Sequence, residues 1–255
     1  MTPTKADGER QLGRLTSGEQ MATFGGETVH EVGGEPEPEA LDRSPLPTVV
    51  SAAGSDYTPA TPLEAKISEV LAAITSARET KPKFVKIQLQ FPKVAKVFQT
   101  VKGVFEEIDA DKSGTIEMSE MTTALGKMGA EVTAEEVGAI FAASDEDGNE
   151  KLSFQEFLVF LCLGHLLEKL PETPGFGEAF KVAVDAFDVF DVANQGVIVL
   201  SEVRATLKDA GTPETLVARM TEMDKDGNGY VIFPEFLMAF CDWVGVEDED
   251  DDDDA

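Results

Sequence analysis

Cysteine, histidine, tyrosine and tryptophan are scarce in this chain of 255 residues, which has two, two, two and one of them. Cys162 and Cys241 lie on separate apolar segments without metal-ligand spacing. That excludes a disulfide framework and a thiolate metal site, and leaves buried free thiols in a reducing compartment as the expectation. His30 and His165 sit in no catalytic pattern, and there is neither a phosphate-cradling glycine loop nor a nucleophile elbow. No catalysis is expected. Basic residues are few, 21 against 49 acids, for a net charge of −28. Such acidity disfavours nucleic acid and anionic membrane and favours cations and basic peptides.

Long apolar runs are also missing. The most apolar stretch, Phe157–Leu170, is shorter than the roughly 20 residues a bilayer span needs, so no transmembrane segment is expected. Met1–Arg10 mixes acids with bases around no apolar core, and Thr2 excludes myristoylation. No N-glycosylation sequon occurs. These features predict a cytoplasmic protein.

What the chain has is a repeat. Four segments fit one 12-residue template: Asp109–Glu120 (DADKSGTIEMSE), Asp145–Glu156 (DEDGNEKLSFQE), Asp191–Glu202 (DVANQGVIVLSE) and Asp224–Glu235 (DKDGNGYVIFPE). Oxygen-bearing side chains recur at positions 1, 3 and 5, and a Glu closes position 12. A hard cation such as calcium takes about 6–8 oxygens, which these positions supply together with the position-7 carbonyl and a position-9 side chain or water. Position 6 needs φ > 0 and favours Gly.

In the first loop Asp109, Asp111, Ser113, the Thr115 carbonyl, Glu117 and Glu120 fill every role around Gly114. The fourth offers Asp224, Asp226, Asn228, the Tyr230 carbonyl and Glu235 around Gly229, with Ile232 leaving position 9 to water. The second offers Asp145, Asp147, Asn149, the Lys151 carbonyl, Ser153 and Glu156. Its position 6 is Glu150, which costs about 1–2 kcal/mol in left-handed geometry, so a weakened site is expected. The third loop keeps Asp191, Gln195, Gly196, the Val197 carbonyl and Glu202, but Ala193 and Val199 remove two oxygens. About three Ca2+ sites are expected, with Asp191–Glu202 weak or inactive. The apolar position 8 of each loop (Ile116, Leu152, Ile198, Val231) suits a short antiparallel bridge between paired loops, so the third loop can still brace the fourth.

With these loops the chain resembles the EF-hand superfamily over about residues 94–246. It is most similar to a plant and algal calmodulin-like group, through the apolar FLVFLCLGHLL (Phe157–Leu167) and the ending AFCDWVGVEDED (Ala239–Asp250). The resemblance implies an all-α fold of two EF-hand pairs, calcium-dependent signalling and no catalysis. The third loop, Glu150 and a long N-terminal extension depart from the pattern.

Residues 1–58 are rich in Gly, Pro, Glu, Ser and Thr and are expected to be disordered. An extra helix and basic linker occupy 59–93. The first hand pair spans 94–170, a Pro/Gly linker 171–176, the second pair 177–246 and an acidic tail 247–255. Thr61-Pro62-Leu63-Glu64 reads as a capping box opening a helix to Arg78 or Thr80, with Leu63, Ile67, Val70, Leu71 and Ile74 as its stripe. Lys81–Lys102 carries six lysines and no acid. It is either a solvated face or a segment that docks on an acidic groove or the tail. Val85, Ile87, Leu89 and Phe91 alternate within it. Thr133 and Glu136 form a second capping box. Phe157–Leu170, apolar nearly all round, must be covered by the other lobe, by the extra helix or by a partner.

Met118, Met121, Met128, Met220, Met223 and Met238 flank the first and fourth loops. They fill lobe cores, or they line a groove that calcium exposes to an amphipathic basic target helix of a protein partner. The expectation is a calmodulin-like sensor. A calcium buffer and a constitutive subunit of a larger complex are the alternatives.

Overall fold

A computed structural model describes residues 57–170, 175–209 and 214–246, with the backbone alone for 207–209 and 214–217. The sequence expectations for 1–56, 171–174 and 247–255 lie outside the described residues. Helix α1 (Pro62–Ser76) starts where Thr61, in extended geometry, accepts a hydrogen bond from the Glu64 amide. Pro62 takes the first turn, where it forfeits no intrahelical bond. The capping box is incomplete: the Glu64 carboxylate turns back to the Ala60 amide (2.9 Å) and the Tyr57 hydroxyl instead of to Thr61. The helix ends before Arg78, and Ile74 lies on its exposed side. Ile67, Ser68, Leu71 and Thr75 form the buried face.

The alternating stretch after Pro82 is no strand. It forms the short helix α2 (Phe84–Gln88), which buries Ile87 and leaves Val85 and Leu89 exposed. Alternation over so few residues also fits one helical turn, and the amides of Lys86, Ile87 and Gln90 find helical carbonyl partners. Helix α3 (Phe91–Ile108) opens with Pro92 in its first turn and buries Val94, Phe98, Val101 and Phe105 at helical spacing.

Four helix–loop–helix units follow. After α3 come β1 (Ile116–Glu117) and α4 (Met118–Met128), then α5 (Ala134–Ser144), β2 (Lys151–Leu152) and α6 (Phe154–Leu166). The second half has α7 (Phe176–Phe190), β3 (Ile198–Val199), α8 (Leu200–Asp209), α9 (Glu214–Glu222), β4 (Tyr230–Val231) and α10 (Phe233–Val244). The fold is all-α apart from these two-residue strands. Strand β1 pairs antiparallel with β2, Ile116 opposite Leu152, and β3 pairs with β4, Ile198 opposite Val231. The four position-8 residues meet as their spacing predicts. Thr133 caps α5 reciprocally with Glu136.

Helix α6 explains how the halves meet. Phe157, Leu158, Val159, Phe160, Cys162 and Leu163 are all buried, and a helix apolar on every side must be covered throughout. Helices α3 and α5 cover it within its own half; α10 and α1 cover the rest. The chain's own elements therefore bury the stretch for which a second chain was an alternative cover. One apolar core runs through both halves, and in the second Phe187 stands edge-on to Phe233 and Phe236 while Phe236 stacks on Phe240. Fully burying each such ring is worth roughly 1.5–3 kcal/mol. None of the described helices is long and apolar enough to cross a membrane.

Candidate metal centres

Each loop begins where a helix stops. Asp109, Asp145 and Asp191 cap the C-termini of α3, α5 and α7, leaving helical geometry with ψ of 82, 91 and 77°. Two left-handed residues then turn each loop. Position 6 has φ of 82° at Gly114, 64° at Glu150, 73° at Gly196 and 87° at Gly229. Position 4 is left-handed too, at Lys112, Gly148, Asn194 and Gly227. The 12-residue template anticipates left-handed geometry at position 6 but not at position 4. The signal was visible: two of the four position-4 residues are Gly and one is Asn, the residues that tolerate this region.

The position-1 carboxylate organises the turn. Asp109 accepts from the Ser113 and Gly114 amides at 3.0 Å each, Asp145 from Asn149 and Glu150 at 3.1 and 2.9 Å, and Asp224 from Asn228 and Gly229 at 3.0 Å each. The position-12 Glu ties the loop's two ends together. Glu120 accepts from Ala110 (2.8 Å) and Glu117 (3.1 Å), Glu156 from Glu146 and Ser153 (2.8 Å each), and Glu235 from Lys225 (3.1 Å) and Ile232 (3.0 Å). Three acidic clusters result: Asp109, Asp111 and Glu120; Asp145, Asp147 and Glu156; Asp224, Asp226 and Glu235. In each, one oxygen per residue lies within 4.8 Å of the others. All-oxygen clusters of this kind suit a hard divalent cation.

The remaining candidates stand nearby in varied roles. Ser113 donates to the Thr115 carbonyl at 2.9 Å, and the Asn149 and Asn228 amides donate to Asp147 and Asp226 at 2.7 Å each. The Lys151 and Tyr230 amides bond back to Asn149 and Asn228. Glu117 pairs across the β bridge with the Lys151 ammonium at 3.2 Å, and the Ser153 hydroxyl caps α6.

A model of the EF-hand domain pair matches residues 98–161. The probable calcium-binding protein CML21 of Arabidopsis thaliana is 32% identical over 207 residues, covering 76% of this chain and 90% of that protein. The chain belongs to the calmodulin-like EF-hand calcium-binding proteins. The probable calcium-binding protein CML22 of the same plant is 33% identical over 65% of this chain and 80% of its own length. Calcium-dependent protein kinase 9 of Arabidopsis thaliana is 31% identical over 54% of this chain, but the match spans only 24% of the kinase.

In the fourth EF-hand loop the closing carboxylate is perturbed. Burial, together with the neighbouring Asp226 and Asp224 charges, pushes Glu235 up to about 7 against the pull of its two amide bonds. Crowded carboxylates that repel one another are relieved by a cation among them. In the first loop, hydrogen bonds from Ser113 hold Asp111 below the usual carboxylate range.

The third EF-hand loop is put to other use. Asp191 is buried, and burial raises its pKa. Its carboxylate accepts from the Gln195 and Gly196 amides at 2.9 and 2.8 Å, while its carbonyl and the Asn194 side chain accept from Lys81, each at 2.6 Å. Lys81 also reaches the buried Asp188 (3.0 Å), and Arg78 pairs with Asp185 (2.7 Å) and Asp188 (2.8 Å). Asp185, Asp188 and Asn194 lie outside the template's ligand positions, whereas Asp191 is its position 1. A partial signal is the matched spacing: Arg78 and Lys81 stand three residues apart, as do Asp185, Asp188 and Asp191 at the end of α7.

Proposed function

We propose that this protein is a calmodulin-like calcium sensor with three calcium sites. The first takes Asp109, Asp111, Ser113, the Thr115 carbonyl, Glu117 and Glu120. The second takes Asp145, Asp147, Asn149, the Lys151 carbonyl, Ser153 and Glu156, and the fourth Asp224, Asp226, Asn228, the Tyr230 carbonyl and Glu235. Calcium at the first pair of hands widens the space between its helices, and an amphipathic basic helix of a target protein enters. The protein acts as a cytoplasmic regulator and not as an enzyme.

The observation that carries the sensor reading is an apolar cleft between α3, α4 and α6. It is lined by Val104, Met121, Met128, Phe160, Leu161 and Leu170. Met128 is 49% exposed at its mouth, and flexible thioethers suit varied helical targets. The test is calcium-dependent retention of the full chain on a hydrophobic matrix. Retention that Met128→Glu weakens, with calcium binding intact, supports the sensor.

One observation favours a buffer. Met220 and Met223 are buried core residues and do not line the cleft between α3, α4 and α6, so only part of the methionine set faces it. Calcium binding without retention is the outcome that selects this second reading.

A further inference from the structure

The segment between α1 and α3 packs on the second hand pair. Between α1 and α3 the chain crosses α7 and α10, and it does so with a pattern: Arg78, Lys81, Phe84, Ile87 and Phe91. The two bases face acids of the third hand, Arg78 on Asp185 and Asp188 and Lys81 on Asp188. Lys81 also bonds the Asp188 and Asp191 carbonyls at 2.8 and 2.6 Å. The apolar members then go inward. Phe84 stands edge-on to Phe190 (5.5 Å between ring centres) and to Trp243 (6.0 Å), and Phe91 edge-on to Phe240 (5.6 Å). Ile87 is buried, while Val85 and Leu89 on the opposite side are exposed. Two bases followed by a short helix with one apolar face and one open face lie across the two outer helices of a hand pair. That is the chemistry of an amphipathic helix in a groove.

We propose that residues 78–91 are an internal target: a basic, aromatic-bearing segment that holds the second hand pair in cis, in the place an external basic helix would take. The surface it occupies recognises two bases three residues apart, followed by aromatic anchors. External partners are thereby directed to the first pair. Charge complementarity fixes the register. Asp188 is only 1% exposed and accepts from both bases, so a segment lacking them leaves a buried carboxylate uncompensated. The proposal goes beyond the sensor reading and does not depend on calcium, because the contacts are formed by protein groups alone.

Trp243, the single tryptophan, reports on the segment. Arg78 and Lys81 pair with acids of α7 and the third loop, whereas the ring that meets the indole is Phe84. In metal-stripped full-length protein, the double variant Arg78→Gln/Lys81→Gln shifts Trp243 emission to longer wavelength and increases its quenching by acrylamide. A synthetic peptide of residues 76–92 reverses both changes saturably. Lys81→Arg, which keeps the cation, behaves as the parent chain. Phe84→Ala, which leaves the ion pairs in place, provides the same reading should removal of both charges cost helical circular dichroism. Unchanged emission and quenching in folded variants overturns the proposal, as does a shift the peptide leaves in place. A parent signal that varies with protein concentration marks exchange between two copies and overturns the assignment in cis.

Discussion

The main-chain carbonyl of Ser68 stands where a side chain at position 196 would begin: a β-carbon built on Gly196 would lie 2.0 Å from that oxygen. The third loop thus serves as a seat for α1. Gly196 combines this contact with φ of 73°. Gly196→Ala therefore meets both backbone strain and a clash with main chain that cannot rotate away. The expected loss is about 2 kcal/mol or more, read by thermal or urea unfolding, with the number of calcium ions bound unchanged.

Calcium stoichiometry separates working loops from the braced one. Glu120→Gln and Glu235→Gln each remove one carboxylate from an acidic cluster, and each is expected to abolish one binding event in calorimetry. Glu202→Gln leaves the stoichiometry as it was. One Glu202 carboxylate oxygen is buried without a hydrogen-bond partner, so its neutral amide is also tolerated by the fold.

Glu150 holds φ of 64° where the other three loops use Gly. Glu150→Gly relieves left-handed strain of about 1 kcal/mol. The gain appears as a higher midpoint in denaturant unfolding of the metal-free protein. The second loop's calcium affinity rises or stays level. A fall in stability on this substitution would show that the turn is unstrained.

Acidity acts on the fourth loop through Glu235, whose carboxyl is raised to about 7 from an ordinary 4.5, chiefly by burial. A raised carboxyl means the metal-free fold holds this proton more tightly than the unfolded chain does. The cost of ionising it is therefore present above pH 7 and fades as pH falls toward 4.5. Calcium must displace the proton. Affinity at this loop is expected to weaken as pH drops from 8 to 6, with proton release seen by calorimetry in buffers of different ionisation enthalpy. Glu235→Gln abolishes that release.

The loops were legible because each position has one chemical task, so Asp109, Asp145 and Asp224 could be placed from spacing alone. Pairing followed from Ile116, Leu152, Ile198 and Val231, which meet because position 8 is apolar in every loop. Helix α6 announced its burial but not its neighbours. Periodicity says that a face is covered, not which distant segment covers it, and α10 and α1 come from opposite ends of the described chain. Helix α2 was obscured for a related reason, since a few alternating residues fit a strand and a single helical turn equally well. Lys81 fits a solvated face or a docking segment equally well, and Arg78 marks only a helix end, until Asp185 and Asp188 stand opposite them. The three-residue spacing of the bases and of the acids does not say which distant segment each set meets.

Calcium binding at the first, second and fourth loops, and the opening of the first pair to a target, are tested together in one titration. Metal-stripped full-length protein is titrated with calcium in millimolar magnesium, with heat and the emission of an apolar-surface dye recorded together. The account predicts saturation with three ions, matching the three acidic clusters, and a dye signal that rises with them and is suppressed by Met128→Glu. Heat of binding with a flat dye signal would contradict the opening, and the absence of saturable binding would contradict the sites themselves.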